Sequence, residues 1–395
     1  MNAPLRTRTF APWPVFAEDE RRAVDAVLAS GRVNYWTGEE CGKFEREFAA
    51  YVGCEHAIAL ANGTLALELA LRALGVGPGD EVIVPAKTFI ATASCAVAIG
   101  ARPVVCDVDP ESQNLTADTV RAALTPRTRA VIAVHLAGWP CEMGPLAELA
   151  REKGIALLED CAQAHGARWR GRPVGSFGDV AVFSFCQDKI MTTGGEGGML
   201  LTNDRALWLR AWAYKDHGKS WEAVHEREHP PGFRWQHESF GSNFRMTEMQ
   251  AAIGRVQLGK LDGWVQARRR NAAALAAGLA GIPAIRVPLP PADCFHSYYK
   301  LYVQLEPERL RQGWNSARVA EAVEREGVPC MQGGCSEIYR ERAFTDAGLA
   351  PERPLPVAAR LSESSLMFLV HPTLDEADMQ DTVRAVARVM RAAAR

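Results

Sequence analysis

The apolar positions of the chain follow two alternating rhythms. Short β-prone runs bounded by turn residues alternate with segments that are apolar at every third or fourth position. HAIALAN (56–62), EVIVPA (81–86), RPVVCDVD (102–109), RAVIAVHLAG (129–138), IALLEDCA (155–162), DVAVFSF (179–185) and GMLLT (198–202) read as strands. Helical patterns lie between the first five: LALELALRALG after Gly63-Thr64, TFIATASCAVAIG, residues 116–124 and MGPLAELAREKG. Upstream, FAEDERRAVDAVLASG (16–31) predicts a helix stopped by Gly31, and residues 45–52 predict another. Strands apolar on both faces with helices between them predict an α/β domain around a mostly parallel seven-stranded sheet. The last strands lack a full intervening helix, which predicts some antiparallel pairing. In such sheets ligands bind at the carboxyl ends of the strands. Thr64, Thr88, Asp160 and Lys189 all fall at or just after a strand end.

Residues 219–240 break the rhythm. They are polar, with Trp221, Trp235 and Pro230-Pro231, and read either as a functional long loop or as a surface insertion. Residues 246–261 and 263–279 predict long helices, and Arg268-Arg269-Arg270 reads as a solvated face. From about 282 the pattern restarts on a smaller scale, with strands at 300–306 and 364–370, a helix at 316–327 and a final amphipathic helix. The expected division is a large domain over 1–260, carrying an N-terminal segment and the 219–240 insertion. A linking helix and a smaller C-terminal α/β domain then occupy 261–395.

Composition narrows the function classes. The chain has 395 residues, 48% of them hydrophobic and 23% charged, with a net charge of −2. That balance favours neither nucleic acid nor an anionic membrane. No apolar run approaches the roughly 18 residues of a membrane span, and MNAPLRTRTFAPWPVF has no apolar signal-peptide core. Ten cysteines, none in a C-x-x-C pair, give neither a zinc framework nor a disulfide scaffold, and the expected compartment is a reducing cytoplasm. No G-x-G-x-x-G follows an early strand, which argues against a dinucleotide-binding dehydrogenase.

The stretch Asp179–Asn203 carries one lysine, Lys189, between two apolar runs and beside Thr192-Thr193-Gly194-Gly195-Glu196-Gly197-Gly198. Such a lysine is either an amine that holds an aldehyde as a Schiff base or a snorkelling residue at a strand end. Pyridoxal phosphate requires a lysine, a carboxylate against its pyridinium nitrogen, donors at a helix N-terminus for its phosphate, and a flat side chain over its ring. Lys189, Asp160, Gly63-Thr64 and Phe89 supply one each.

With these motifs the chain resembles the sugar aminotransferases of the DegT/DnrJ/EryC1/StrS group, fold-type I pyridoxal-phosphate enzymes. The resemblance is carried by FEREFAAYVG (44–53), ALANGTLALELAL (59–71), GPGDEVIVPAKTFIATA (77–93), ARPVVCDVDPES (101–112), TPRTRAVIAVHLAG (125–138), EDCAQAHGA (159–167), GDVAVFSFCQDKIMTTGGEGGMLLTN (178–203) and GSNFRMTEMQAAIG (241–254). It implies that Lys189 binds the cofactor and shuttles a proton, and that Asp160 pairs with the pyridinium nitrogen. Gln163 would touch the phenolic oxygen. Ser184, Gly63 and Thr64 would hold the phosphate, and Phe89 would stack on the ring. Asn243 would reach the phosphate of a neighbouring subunit, which makes the unit a homodimer with shared active sites. Without the resemblance, Ser184 fits a plain strand residue, Phe89 a core residue, and Asn243 a helix cap before Met246. His135 and His165 read as hydrogen-bonded interior residues.

Family members that dehydrate sugars carry histidine in place of the lysine, so Lys189 implies transamination. The implied reaction passes an amino group from L-glutamate to a C3 or C4 keto group of a nucleotide-activated deoxysugar, for O-antigen, capsule or natural-product amino sugars. A keto-cyclitol acceptor and a non-catalytic regulator that keeps the fold are the alternatives. Cys186-Gln187-Asp188 and the 219–240 loop depart from the common pattern where the sugar nucleotide would enter. Lys215, His217, Arg234 and Glu337 are the substrate-side candidates.

Overall fold

Every strand expected before residue 203 forms, and all of them join one sheet. The computed structural model describes residues 3–228 and 235–395. The sheet order is His56–Leu60, Gly198–Thr202, Val180–Ser184, Ala156–Asp160, Thr128–Val134, Glu81–Pro85 and Arg102–Cys106. Gly198–Thr202 runs antiparallel to both of its neighbours, while the remaining pairings are parallel. The antiparallel strand is the one that arrives without a crossover helix, as short connections require. The central strands are buried on both faces, which is why they read as continuous apolar runs.

Helices cover both faces. Gly63–Ala73, Ala91–Ala98 and Arg205–Lys215 pack on one side, and Glu40–Val52 and Met143–Lys153 on the other. Glu18–Ser30 ends at Gly31, whose φ of +67° makes the left-handed stop.

The second half builds a four-stranded antiparallel sheet, ordered Ile285–Arg286, Leu301–Leu305, Ser365–Phe368 and Cys330–Met331. Ser316–Arg325 and Glu376–Ala393 close its core. The helix Leu261–Leu279 serves two cores. Leu261 and Val265 pack with the large sheet, and Ala272, Leu275 and Leu279 with the small one. Ile338, Tyr339, Phe344 and Ala358 return to the core of the large sheet.

Two expectations change. The 219–240 stretch is not simply a loop. It opens with the helix Trp221–His225, capped by the Ser220 side chain, and Trp221 packs edge-on against Trp208 and Trp212. Arg234 lies outside the described residues. The Arg268–Arg270 triplet is not a solvated face either. Arg268 is buried with its guanidinium 5.0 Å from the Trp13 ring, and Arg269 lies 3.9 Å from the Phe295 ring. Only Arg270 of the three is exposed, because the helix turns Arg268 towards the interior and Arg270 onto its solvent side.

Lys87, just past the strand Glu81–Pro85, is 1% exposed and donates to Ser365 Oγ at 2.8 Å. Its amine lies 4.7 Å from the Tyr302 ring, so it ties the large sheet to the small one. No carboxylate pairs with it among the described residues, and burial pulls its pKa down to about 7. A lysine with a depressed folded-state pKa penalises the fold fully below pH 7. The penalty fades as pH rises towards the unfolded value of about 10.4. Lys87→Met therefore raises the thermal midpoint by several degrees near pH 6, with a gain that shrinks by pH 10. Calorimetric melts across that range check it, and a lower midpoint at pH 6 contradicts it.

Candidate active site

The carboxyl ends of the parallel strands gather most of the expected residues into one region. Asp160 ends the strand Ala156–Asp160 and is 5% exposed. Its Oδ1 accepts from the Ala162 N–H at 3.1 Å, and its Oδ2 accepts from the Thr92 hydroxyl at 3.0 Å. Thr92 spends its proton on Asp160, so Thr88, 2.8 Å away, donates to Thr92. Burial pushes the Asp160 carboxyl above the usual range, against the Ala162 and Thr92 donors and the charge of Lys189. A cation brought against that carboxyl would restore its ionised form.

Lys189 lies on the connection between Val180–Ser184 and Gly198–Thr202 and is half-buried. Its N–H donates to the Cys186 carbonyl at 3.1 Å, and its carbonyl accepts from the Trp13 indole at 2.9 Å. Its amine stands 5.0 Å from the centre of the Tyr299 ring. No carboxylate forms an ion pair with it among the described residues. Beyond it, Gly194 and Gly195 turn the chain with φ of +89° and +122°, conformations that side chains resist. The glycines of this stretch thus make the turn that sets Lys189 between two buried strands.

Gly63 and Thr64 open the helix Gly63–Ala73, and the Asn62 side chain caps it by accepting from the Leu65 N–H at 2.9 Å. A Cβ on Gly63 would lie 2.7 Å from the Ser184 Cβ. The helix N-terminus and the end of strand Val180–Ser184 are therefore in contact. Their amides and the Ser184 hydroxyl form a cradle of donors where an anion is favoured. Ser184 is buried and Thr64 is exposed. Gln163 accepts from the Ala137 N–H through Oε1 at 2.7 Å, which leaves its amide nitrogen as a donor. Phe89 follows Thr88 and is 68% exposed, so it is no core residue. A buried carboxyl short of a cation, a lysine without an ion pair, a donor cradle and an uncovered aromatic ring together match the needs of pyridoxal phosphate.

Asn243 is exposed and is not a helix cap. Thr247 caps Glu248–Leu258 in a reciprocal box with Gln250. The Asn243 segment runs beside the outer strand, where the Ala61 N–H donates to the Phe244 carbonyl at 2.9 Å. Asp216 bridges to Asn243, and the neighbouring His217 is exposed at φ +60°. Lys215, expected near substrate, is enclosed. Its amine sits 3.4 Å from the Tyr35 ring and 5.0 Å from the Trp212 ring, with the Asp216 carboxylate 3.7 Å away. Burial lowers its pKa, and the Glu45 and Asp216 charges oppose that shift. Glu337 is buried beside the strand end at Ala86, and its carboxylate engages Tyr339 at 2.5 Å and Arg340 at 3.3 Å.

The two histidines part ways. His135 donates from Nε2 to Glu159 at 3.1 Å and accepts the Cys141 N–H on Nδ1 at 2.9 Å. His165 lies between the Phe183 and Phe185 rings with no well-formed hydrogen bond. Burial, aided by Lys189 and Arg268, drives its pKa down to about 3, so it stays neutral. Glu159 with His135 and Cys161 could outline a metal site, but the Glu159 carboxylate is taken up by the N–H groups of Gly175, Phe177 and Gly178. Three contributors escaped the sequence reading: the Thr88–Thr92 hydroxyl relay, the Trp13 indole and Tyr299. The four-residue spacing of Thr88 and Thr92 at a helix start was the available signal for the first. Nothing in the local pattern marks the other two.

Comparison with known proteins agrees with this geometry. The profile of the DegT/DnrJ/EryC1/StrS aminotransferase family matches residues 14–387. The chain is 38% identical to the dTDP-3-amino-3,4,6-trideoxy-alpha-D-glucose transaminase of Streptomyces venezuelae, over 92% of this chain and 90% of the relative. It is 37% identical to the L-glutamine:2-deoxy-scyllo-inosose aminotransferase of Streptoalloteichus tenebrarius, over 98% and 96%. The crystal structure of an aminotransferase from Psychrobacter cryohalolentis superposes with a TM-score of 0.95 at 51% identity, covering 97% of this chain and 99% of that one. The chain therefore belongs to the DegT/DnrJ/EryC1/StrS aminotransferase family and is a pyridoxal-phosphate-dependent transaminase with the fold-type I architecture.

Proposed function

We infer that the protein transfers an amino group from L-glutamate to a C3 or C4 keto group of a nucleotide-activated deoxysugar. The convergence of Asp160, Lys189 and the Gly63–Ser184 cradle at the strand ends carries the reading. Similarity to the Streptomyces venezuelae transaminase supports a nucleotide-sugar acceptor. Amino sugars of this kind feed O-antigen, capsule or natural-product assembly, and the free thiols fit a reducing cytoplasm. The similarity to the Streptoalloteichus tenebrarius enzyme favours a second reading, a keto-cyclitol acceptor.

When bound, pyridoxal phosphate supplies an electron sink and a carrier for the amino group. The Gly63 and Thr64 amides and the Ser184 hydroxyl hold its phosphate. Asp160 keeps the ring nitrogen protonated, steadied by Thr92, which Thr88 orients in turn. Gln163 donates to the phenolic oxygen, and Phe89 covers the ring. Lys189 anchors the cofactor through Nζ. Once released by the donor, Nζ takes the proton from the donor's amine-bearing carbon and later returns one to the acceptor's former keto carbon. Asn243, exposed and free of a capping duty, completes the phosphate site of a second copy in a homodimer. His217, exposed next to the Asp216 that bridges to Asn243, would serve the acceptor side. Lys215 would act by supporting that surface through Asp216, and Glu337 from beside the strand end at Ala86.

Incubating the enzyme with L-glutamate and each acceptor class while following 2-oxoglutarate separates the readings. Release with a keto-sugar nucleotide alone supports the first, and release with a keto-cyclitol alone replaces it. Lys189→Ala removes the visible absorbance of the anchored cofactor and lowers turnover by about three orders of magnitude; near-normal turnover would sink the assignment. Gly63→Ala drives a methyl into Ser184 and weakens cofactor binding by about 1–3 kcal/mol, read by equilibrium dialysis. Unchanged affinity would remove the cradle from the phosphate site.

A further inference from the structure

Two lysines share one aromatic ring. Lys189 lies 5.0 Å from the centre of the Tyr299 ring, and Lys300 lies 4.9 Å from it. The ring is held from several sides. The Tyr299 hydroxyl donates to Asp188, its N–H donates to the Ala137 carbonyl at 2.8 Å, and its carbonyl accepts from Arg268 at 3.1 Å. Lys300, from the start of a small-sheet strand, therefore meets the ring that Lys189 meets, and the Lys189 charge reaches it.

Lys300 forms no ion pair or hydrogen bond among the described residues. Burial draws its pKa down to about 8, opposed by Asp188 and aided by Arg268 and Lys189. Behind it, Arg268 is buried with Nε and Nη2 lacking partners. The imidazoles of His371 and His165, which both meet the Arg268 charge, are held neutral by burial with a pKa of about 3. Lys300 and Arg268 thus face Asp188 alone among carboxylates, and it already receives the Tyr299 hydroxyl, while the charge of Lys189 also meets Asp160. Uncompensated positive charge in a half-buried pocket is costly unless an anion completes it.

Resting on the transaminase reading with an α-amino-acid donor, we propose that Lys300 anchors the carboxylate of the amino donor, with Arg268 reinforcing the field behind it. The donor fits better than the sugar nucleotide on chemical distance. In an α-amino acid the carboxylate is bonded to the carbon that carries the amine, so a cation beside Lys189 can reach it. In a nucleotide sugar the phosphates hang from the anomeric carbon, removed by further ring atoms from the carbon that is aminated.

The test titrates holoenzyme with maleate, a dicarboxylate that has no amine, and separately with UDP as a nucleotide probe, both by calorimetry. Lys300→Met weakens maleate binding about tenfold or more and leaves any UDP binding unchanged, while Lys300→Arg stays within a few-fold of wild type. The KM for L-glutamate rises in parallel in the Met variant, with cofactor content unchanged. Equal maleate binding by wild type and Lys300→Met overturns the proposal, as does a loss confined to UDP. Failure of the wild type to turn any α-amino acid into its 2-oxo acid would instead refute the donor reading itself, an outcome that the maleate titration does not depend on.

Discussion

A carboxylate buried at the end of a central strand organises this molecule. Asp160 is nearly closed to water, and its two donors do not fully offset the cost of burying a charge, so its pKa rises. The arrangement makes sense for a partner that brings a positive charge. The parallel sheet puts that carboxyl at the level of Ser184, the Gly63 helix terminus and the turn that carries Lys189. Chain-distant groups meet there because strand ends on one edge of a parallel sheet are neighbours.

The site is stiffened from the small-sheet side. Ala137, with φ of +55°, gives its N–H to Gln163 and its carbonyl to Tyr299. One backbone unit thus links the Gln163 amide to the ring that Lys189 meets. Strained backbone of this kind persists where surrounding bonds over-determine it, which is common at functional sites. Trp13 closes the other side by bonding the Lys189 carbonyl while it packs edge-on against Trp264, 5.1 Å away. The lysine is therefore fixed through its backbone, and its amine keeps its freedom.

The sheet was legible because burial on both faces leaves little for a strand to be except apolar, and because turn residues punctuate the runs. Lys189 and Asp160 stood out because a charged residue at the end of such a run is conspicuous, while the roles expected of them came from the family resemblance. Other features could not be read locally. Nothing in three consecutive arginines tells which one meets Trp13 and which meets solvent. Lys215 looks like its charged neighbours, yet it lies against Tyr35, far away in sequence. Asn243 and Thr247 both precede a helix with capping chemistry, and only backbone geometry chooses Thr247. The order Tyr298-Tyr299-Lys300 carries no periodic signal for a ring shared by two amines, because the pairing depends on how two sheets dock.

The account rests on Lys189 as the residue that anchors the cofactor. Borohydride reduction of the holoenzyme followed by peptide mass spectrometry tests that directly. The account predicts a pyridoxyl phosphate adduct on the peptide containing Lys189 and on no other. An adduct confined to the peptide containing Lys300 or Lys87, with Lys189 unmodified, would contradict it.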